Sequence, residues 1–310
     1  MIRTLLAGCA LLPAAALAAP FAYVPNEKSG TVSVIDTATD TVVRTLPGGA
    51  RPRGIASDGK RLFISEAPSD GMVIVDISAE EPTRHVHLGE SPEGVSVSAD
   101  RKRVAVAVEE SNSVVVLDAA SGRKLADIRV RGKNPEHAVF SPDGRWLLVS
   151  AEDAEQVDLV DLKARRQVAQ IPVGARPRGI GFTPDGSRAY VACELVSTVY
   201  AIDMGKRKVI ASIKAGTFSN GVAVAPDGRR VYVSNGKDGT VSVIRTADHQ
   251  IEATLPVGKR PWNMALTPDG RKLYVANGRS NSVSVIDTER LATISEIPVG
   301  ELPWGVVVQP

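Results

Sequence analysis

Apolar and polar residues alternate along this chain in short runs, and turn residues interrupt each run before a helical period can develop. Residues 259–300 show the unit. Asn263-Met264-Ala265-Leu266 is apolar enough for a buried strand, and Thr267-Pro268-Asp269-Gly270 reads as a type I turn with Pro second and Gly fourth. Leu273-Tyr274-Val275-Ala276 supplies a second strand of residues that favour a pleated surface. Asn277 to Asn281 is a turn, Ser282-Val283-Ser284-Val285-Ile286 a third strand, and Thr293 to Val299 a fourth after Asp287-Thr288. An apolar spacing of two, with turns this close together, excludes helical repeats.

The unit recurs at a fixed interval, marked by the hexapeptide G-x-x-P-x-G. It is intact at Gly174-Ala175-Arg176-Pro177-Arg178-Gly179 and returns, with at most one substitution, from Gly49, Gly89, Gly132, Gly216, Gly258 and Gly300. Successive motifs lie 40, 43, 42, 42, 42 and 42 residues apart. Four short strands per such interval predict a β-propeller, one antiparallel sheet per repeat. The P-D-G turn recurs at Pro142, Pro184 and Pro226, and third strands recur at Val32, Met72, Val114, Val157, Val199 and Val241. Residues 21–48 supply three strands of a blade and residues 304–309 the missing first one. The expected fold is therefore all-β: a seven-bladed propeller over residues 19–310, closed where the C-terminal strand joins the N-terminal blade, with no sheet edge left open at the seam.

Composition adds a compartment and removes some partners. Met1-Ile2-Arg3, an apolar run from Leu5 to Leu17 and Ala16-Leu17-Ala18 read as a secretory signal peptide over residues 1–18, which places the chain in the periplasm. The apolar run is too short for a membrane span. Leu6-Ala7-Gly8-Cys9 also resembles a lipoprotein box, although most of the apolar run follows Cys9. Removal of the signal leaves Cys193 alone, so no intrachain disulfide can form. The 37 basic residues nearly balance 35 acidic ones, which argues against nucleic acid as partner. A monomer is expected.

The motif opens the innermost strand of each blade, so its variable positions should ring the channel. The residue after Pro (or its substitute Ser219) reads Arg53, Glu93, Glu136, Arg178, Asn220, Trp262 and Trp304. The next position is Gly in five repeats but His137 and Asn263 in two. Before Pro stand Arg51, Ser91, Asn134, Arg176, Phe218, Arg260 and Leu302. Phe218, Trp262 and Trp304, flanked by Arg260, either plug the channel or offer an apolar platform to a planar ligand or partner side chain. The pairs Arg51/Arg53 and Arg176/Arg178, with Glu93 and Glu136 between them, either neutralise one another or form a mouth for a small carboxylate or phosphate. The second rim loop begins at Asn26, Glu66, Val108, Ala151, Cys193, Asn235 and Asn277. It continues acidic at Glu109, Glu110, Glu152, Asp153, Glu155 and Glu194, opposite Lys237 and Arg279, an asymmetry suited to a docking protein.

Signatures of catalysis are sparse. C-x-x-C-H and G-x-S-x-G are absent, Cys193 occupies a turn position where sister repeats carry Asn, and His85 and His87 alternate on an outermost strand. His137, beside the channel and next to Glu136, could ligate haem iron or act as a base. No catalytic set, metal site or cofactor is expected.

Tyr274-Val275-Ala276-Asn277, Tyr232-Val233-Ser234-Asn235 and Tyr23-Val24-Pro25-Asn26, each followed by a Val-Ser-Val-Ile core, resemble the YVTN family of β-propeller repeats over residues 21–310. Within that family the chain resembles the propeller proteins associated with PQQ-dependent alcohol catabolism. The resemblance implies a non-enzymatic periplasmic binding or scaffold protein, accessory to a quinoprotein dehydrogenase and its cytochrome c. The superfamily is also similar to d1-haem domains, which have eight blades, and to propeller lactonases, implying as an alternative a cofactor-binding or hydrolytic enzyme. Fold alone does not choose between them.

Overall fold

The structure, a computed structural model, describes residues 20–66, 69–79 and 81–309. The signal segment and Cys9 lie outside the described residues. The described strands form seven four-stranded antiparallel sheets, so the expected seven-bladed propeller is the fold. Blades 2 to 7 are each continuous in sequence; blade 5, for example, runs Pro177–Phe182, Arg188–Cys193, Thr198–Asp203 and Lys208–Lys214 from the channel outward. Among the described residues no helix is long and apolar enough to cross a membrane.

The second and third strands of each blade carry the burial. Arg188–Cys193 is buried at every position after its first, and such runs suit sheets covered on both faces. The core therefore lies between adjacent blades: Leu148, Val157 and Leu159 of blade 4 pack against Ile180, Val191 and Ile202 of blade 5. The fourth strands face solvent and alternate, as in Lys208–Lys214.

Two devices hold neighbouring blades in register. On the motif face, the closing Gly of the motif meets the next inner strand. A Cβ on Gly54 would stand 2.2 Å from the Glu93 carbonyl oxygen, and one on Gly179 2.5 Å from that of Asn220. No side chain fits there. Ser65 seals the first of these contacts, accepting from Gly54 N at 2.8 Å and donating to Glu93 O at 2.6 Å. On the opposite face the first residue of the second strand reaches over the seam: Arg61, Arg188, Arg230 and Lys272 donate to carbonyls of Ala120, Thr246, Thr288 and Thr37.

Closure follows the expected route. Val308 pairs with Ala22 and Val307 with Tyr23, Pro303 bridges Asn26, and Trp304 N donates to Pro25 O at 3.0 Å. The inner strand of this blade is short, only Val307–Val308, but Trp304, Val306 and Val308 are all buried. Deleting residues 303–310 is expected to remove about 5 kcal/mol of apolar burial from these three side chains and to lower the thermal midpoint by roughly 10 °C. An unchanged midpoint in differential scanning calorimetry would contradict closure by this strand.

Candidate functional site

Two backbone features aim the motif residues at the channel. All seven residues before Pro or Ser219 adopt left-handed backbone, with φ between 52° and 61°. For non-glycine residues this costs about 1–2 kcal/mol each. In blades 1 and 3 to 7 it turns the carbonyl toward the second rim loop, where a backbone N–H donates to it: Glu27 N to Leu302 O at 3.0 Å, Glu194 N to Arg176 O at 2.9 Å, Gly278 N to Arg260 O at 3.0 Å. Immediately after Pro the ladder then slips, as between Pro177 and Ile180. The bulge swings the intervening residue inward.

All seven residues after Pro consequently line one cavity of about 270 Å³ at the motif-face end of the channel: Arg53, Glu93, Glu136, Arg178, Asn220, Trp262 and Trp304. Arg176, Arg260 and Asn263 join them, as do Glu27, Glu109 and Glu152 from the second rim loop. Arg51 and Phe218, which share the position before Pro with Arg176 and Arg260, stand outside. Arg51 is half exposed and pairs with Glu27 at 2.6 Å. Phe218 faces a groove between blades 6 and 7, covered by Lys237 and Arg260 with ring-centroid distances of 5.7 and 5.6 Å.

The arginines and glutamates of the cavity neutralise one another. Arg178 Nη1 lies 2.5 Å from both Glu136 Oε1 and Glu152 Oε1, and its Nε 3.2 Å from Glu194 Oε2. Arg260 Nη2 meets Glu194 Oε1 at 2.8 Å, and Arg53 joins Glu27 to Glu93. Glu27, Glu93, Glu136 and Glu194 are almost wholly buried, so these are not solvated rim charges. The guanidinium forks that would have received a small anion already hold carboxylates.

Burial among like charges sets the protonation of the cavity. Burial, with the Glu136 carboxylate behind it, pushes the Glu93 carboxyl up to about 8 against the pull of Arg53. Glu109 and Glu152 rise for the same two reasons. Burial acts on Glu136 too, but Arg178 and the positive charge around it prevail and hold it below its ordinary value. Burial opposes the charge of Arg178, and Glu136, Glu152 and Glu194 more than restore it. Carboxyl oxygens of Glu109, Glu136 and Glu152 approach within 4.8 Å of one another, close enough to share a cation. Arg178 already supplies positive charge to two of the three.

The opposite side of the cavity is aromatic. Trp262 meets Trp304 edge-on at 6.2 Å, and Trp304 stacks on His137 at 5.7 Å. Trp304 and His137 also roof a lower chamber of about 150 Å³ lined by Ile55, Val95, Ile180, Val222 and Met264. Trp304 thus serves both expected roles, floor of the mouth and plug of the channel. His137 leans over Gly94, its Nδ1 is buried without a partner, and burial holds its proton affinity below the usual range despite Glu136. Burial also pushes the Cys193 thiol up to about 12, so it remains protonated and unreactive at neutral pH. His85 is exposed, 3.5 Å from Glu66.

Glu27 is the member that the motif ring does not lead to. Its column, one residue beyond the start of the second rim loop, reads Glu27, Ala67, Glu109, Glu152, Glu194, Gly236 and Gly278. Aligning this column adds Glu27 to Glu109, Glu152 and Glu194, which the acidic second rim loop already offers. It also explains the aromatic side. A Cβ at Gly236 would lie only 3.0 Å from the Arg260 guanidinium, so the missing side chain makes room for it, and Gly278 lies in ordinary contact range of the Trp262 ring, 3.6 Å from a Cβ placed there.

A family model described as "Lactonase, 7-bladed beta-propeller" matches residues 160–297, under half of the chain. The match includes Arg176, Arg178, Glu194 and Trp262 but not Arg53, Glu93, Glu136 or Trp304. Hydrazine synthase of Kuenenia stuttgartiensis is similar in structure at 23% identity and TM-score 0.77, over 86% of this chain and 92% of that one. A protein of Desulfotomaculum acetoxidans DSM 771, described as functionally unknown, is similar at 17% identity and TM-score 0.80, over 93% and 98%. No curated protein matches the sequence. At these identities the structural likeness carries the fold alone.

Arg178→Leu would strand the buried Glu136 carboxylate and take one of the partners from Glu152 and Glu194. It is expected to cost about 3–5 kcal/mol in urea unfolding at pH 7, and less at pH 5, where the carboxyls can take up protons. An equal loss at both pH values would contradict this electrostatic origin. Glu93 binds its proton more tightly folded than unfolded, so its contribution is complete below its ordinary value of 4.5 and is lost as pH rises through about 8. Glu93→Gln should make the pH slope of the unfolding free energy between these limits more positive by up to about 1.4 kcal/mol per pH unit. An unaltered slope would show that Glu93 ionises normally.

Proposed function

We propose that the protein is a binding propeller whose channel mouth holds a small, neutral, hydroxyl-bearing ligand. The observation that supports this reading is the satisfied state of the four mouth arginines, each of which already faces at least one carboxylate. Carboxylate oxygens that accept hydroxyl protons, the amides of Asn220 and Asn263, and the Trp262 and Trp304 rings are what remain to meet a ligand. An alcohol or polyol fits that equipment. It also agrees with the sequence resemblance to periplasmic propellers accessory to quinoprotein alcohol oxidation, which supports the same reading.

Hydrolysis of a lactone is the second reading, favoured by the family match and by one pair of groups. Glu93 carries a carboxyl that exchanges its proton near pH 8, in contact with Arg53. Such a pair could relay a proton to water while the guanidinium steadies a developing oxyanion.

Titrating glycerol, glucose and inorganic phosphate against tryptophan emission tests the first reading. Saturable quenching by a polyol, lost in Trp304→Ala, with no response to phosphate, is expected. Saturation by phosphate alone would overturn it. Glucono-δ-lactone hydrolysis in a pH-stat tests the second: acceleration over buffer that disappears in Glu93→Gln would favour it, and no acceleration would exclude it for this lactone.

A further inference from the structure

The opposite face carries a second exception to the repeat. In blades 2, 3, 5, 6 and 7 the second strand begins with Arg61, Arg103, Arg188, Arg230 or Lys272, and each reaches a carbonyl of the next blade. Blade 4 begins this strand with Trp146, whose indole cannot bridge to a carbonyl as a guanidinium does. The seam between blades 4 and 5 therefore lacks its cationic strap, and a cavity of about 340 Å³ lies there. Its walls are Trp146, Leu159, Phe182 and Met204. The corresponding space between blades 6 and 7 keeps its strap and is also a cavity, of about 770 Å³, but paired charge lines it, Arg230 binding Glu252 through two bonds of 2.8 Å.

Two guanidiniums lie over the Trp146 ring, and one of them, Arg207, lines the cavity. Arg145 lies 4.3 Å and Arg207 5.3 Å from the centre of the Trp146 ring. Arg145 has a distant carboxylate in Asp161 at 3.9 Å, whereas Arg207 forms no ion pair among the described residues. Asp143 and Asp185 also line the cavity, and the turns they close hold Asp143 Oδ1 and both carboxylate oxygens of Asp185. Asp143 Oδ1 accepts from Ser141 Oγ and Arg145 N at 2.5 and 3.0 Å, and Asp185 from Thr183 Oγ1, Ser187 N and Ser187 Oγ at 2.6, 3.1 and 2.8 Å. An apolar chamber with an unpaired guanidinium at its mouth suits a ligand with a compact apolar body and a carboxylate.

We propose that the cavity between blades 4 and 5 is a binding site for a small aromatic or branched aliphatic carboxylate, its body against Trp146, Phe182 and Met204 and its carboxylate on Arg207. The site lies on the face opposite the channel mouth and is independent of the function assigned there. Unlike the mouth, where guanidiniums are already matched by carboxylates, this cavity presents a fork that can receive an anion.

Isothermal titration of benzoate into the full-length protein tests the site, with benzyl alcohol as the uncharged counterpart. Saturable benzoate binding, at least about tenfold tighter than benzyl alcohol, is expected. Arg207→Gln should weaken benzoate by a similar factor and leave benzyl alcohol unchanged. Trp146→Arg, which installs the residue found in four sister blades, should abolish binding of both while the thermal midpoint holds or rises. Trp304→Ala, in the mouth, should change neither. Absence of saturable benzoate binding up to about 10 mM would overturn the proposal, as would binding that survives both Arg207→Gln and Trp146→Arg or that is lost in Trp304→Ala.

Discussion

The arrangement of the motif face depends on one hydrogen bond, repeated around the ring: the carbonyl of the left-handed residue before Pro accepts the backbone N–H one position into the second rim loop. The bond closes blades 1 and 3 to 7, from Glu27 N on Leu302 O to Gly278 N on Arg260 O. The left-handed backbone is costly for Arg, Phe or Leu, and a buried amide satisfied in this way offsets part of that cost. Because the bond ties together two loops that are otherwise separate, it places the residue after Pro and the residue after the loop start as neighbours at the channel mouth. Side-chain chemistry is then free to vary at both columns, since the clip uses only backbone.

That freedom explains how one face can be half ionic and half aromatic. Where the second column carries Glu, as at Glu152 and Glu194, the first can carry Arg178 and bind both. Where it carries Gly, as at Gly236 and Gly278, Arg260 takes the space at the first and the Trp262 ring lies in contact range of the second. The two halves are complementary solutions to a fixed volume rather than separate sites. Arg260 belongs to both, pairing with Glu194 and lying over Trp262 and Phe218.

The repeat made most of the fold legible, because a period near 42 residues with four alternating runs admits few architectures and the ends of the chain complement each other. The ring of residues after Pro was legible for the same reason: a fixed offset from a fixed turn gives a fixed direction. What the offset does not carry is where a left-handed residue sends its side chain. Arg51 and Phe218 occupy the same column as Arg176 and Arg260, yet they end outside the mouth, because Arg51 is drawn to Glu27 while Phe218 lies under Lys237 and Arg260. Ion-pair partners were equally illegible, since Arg178 chooses among carboxylates that come from blades 4 and 5 and two different loops. Glu27 went unnoticed as one Glu after an Asn, and became a site residue only once its column was seen.

The two faces handle arginine in opposite ways, and this separates structure from recognition. On the motif face guanidiniums are surrounded by buried carboxylates. Replacing any one would leave charge stranded, so they define the shape of the mouth more than they attract a ligand to it. On the other face the straps Arg61, Arg188 and Arg230 bind neutral carbonyls across seams. Arg188 forms no ion pair among the described residues, so losing that strap would strand no charge, whereas Arg61 and Arg230 also hold Asp58 and Glu252. A repeat protein can therefore change the lining of such a cavity by replacing a strap, as at Trp146, at smaller cost than by rewiring the mouth. The same logic locates recognition on the motif face at Trp262, Trp304, Asn220 and Asn263, the cavity residues that the ion-pair network does not require.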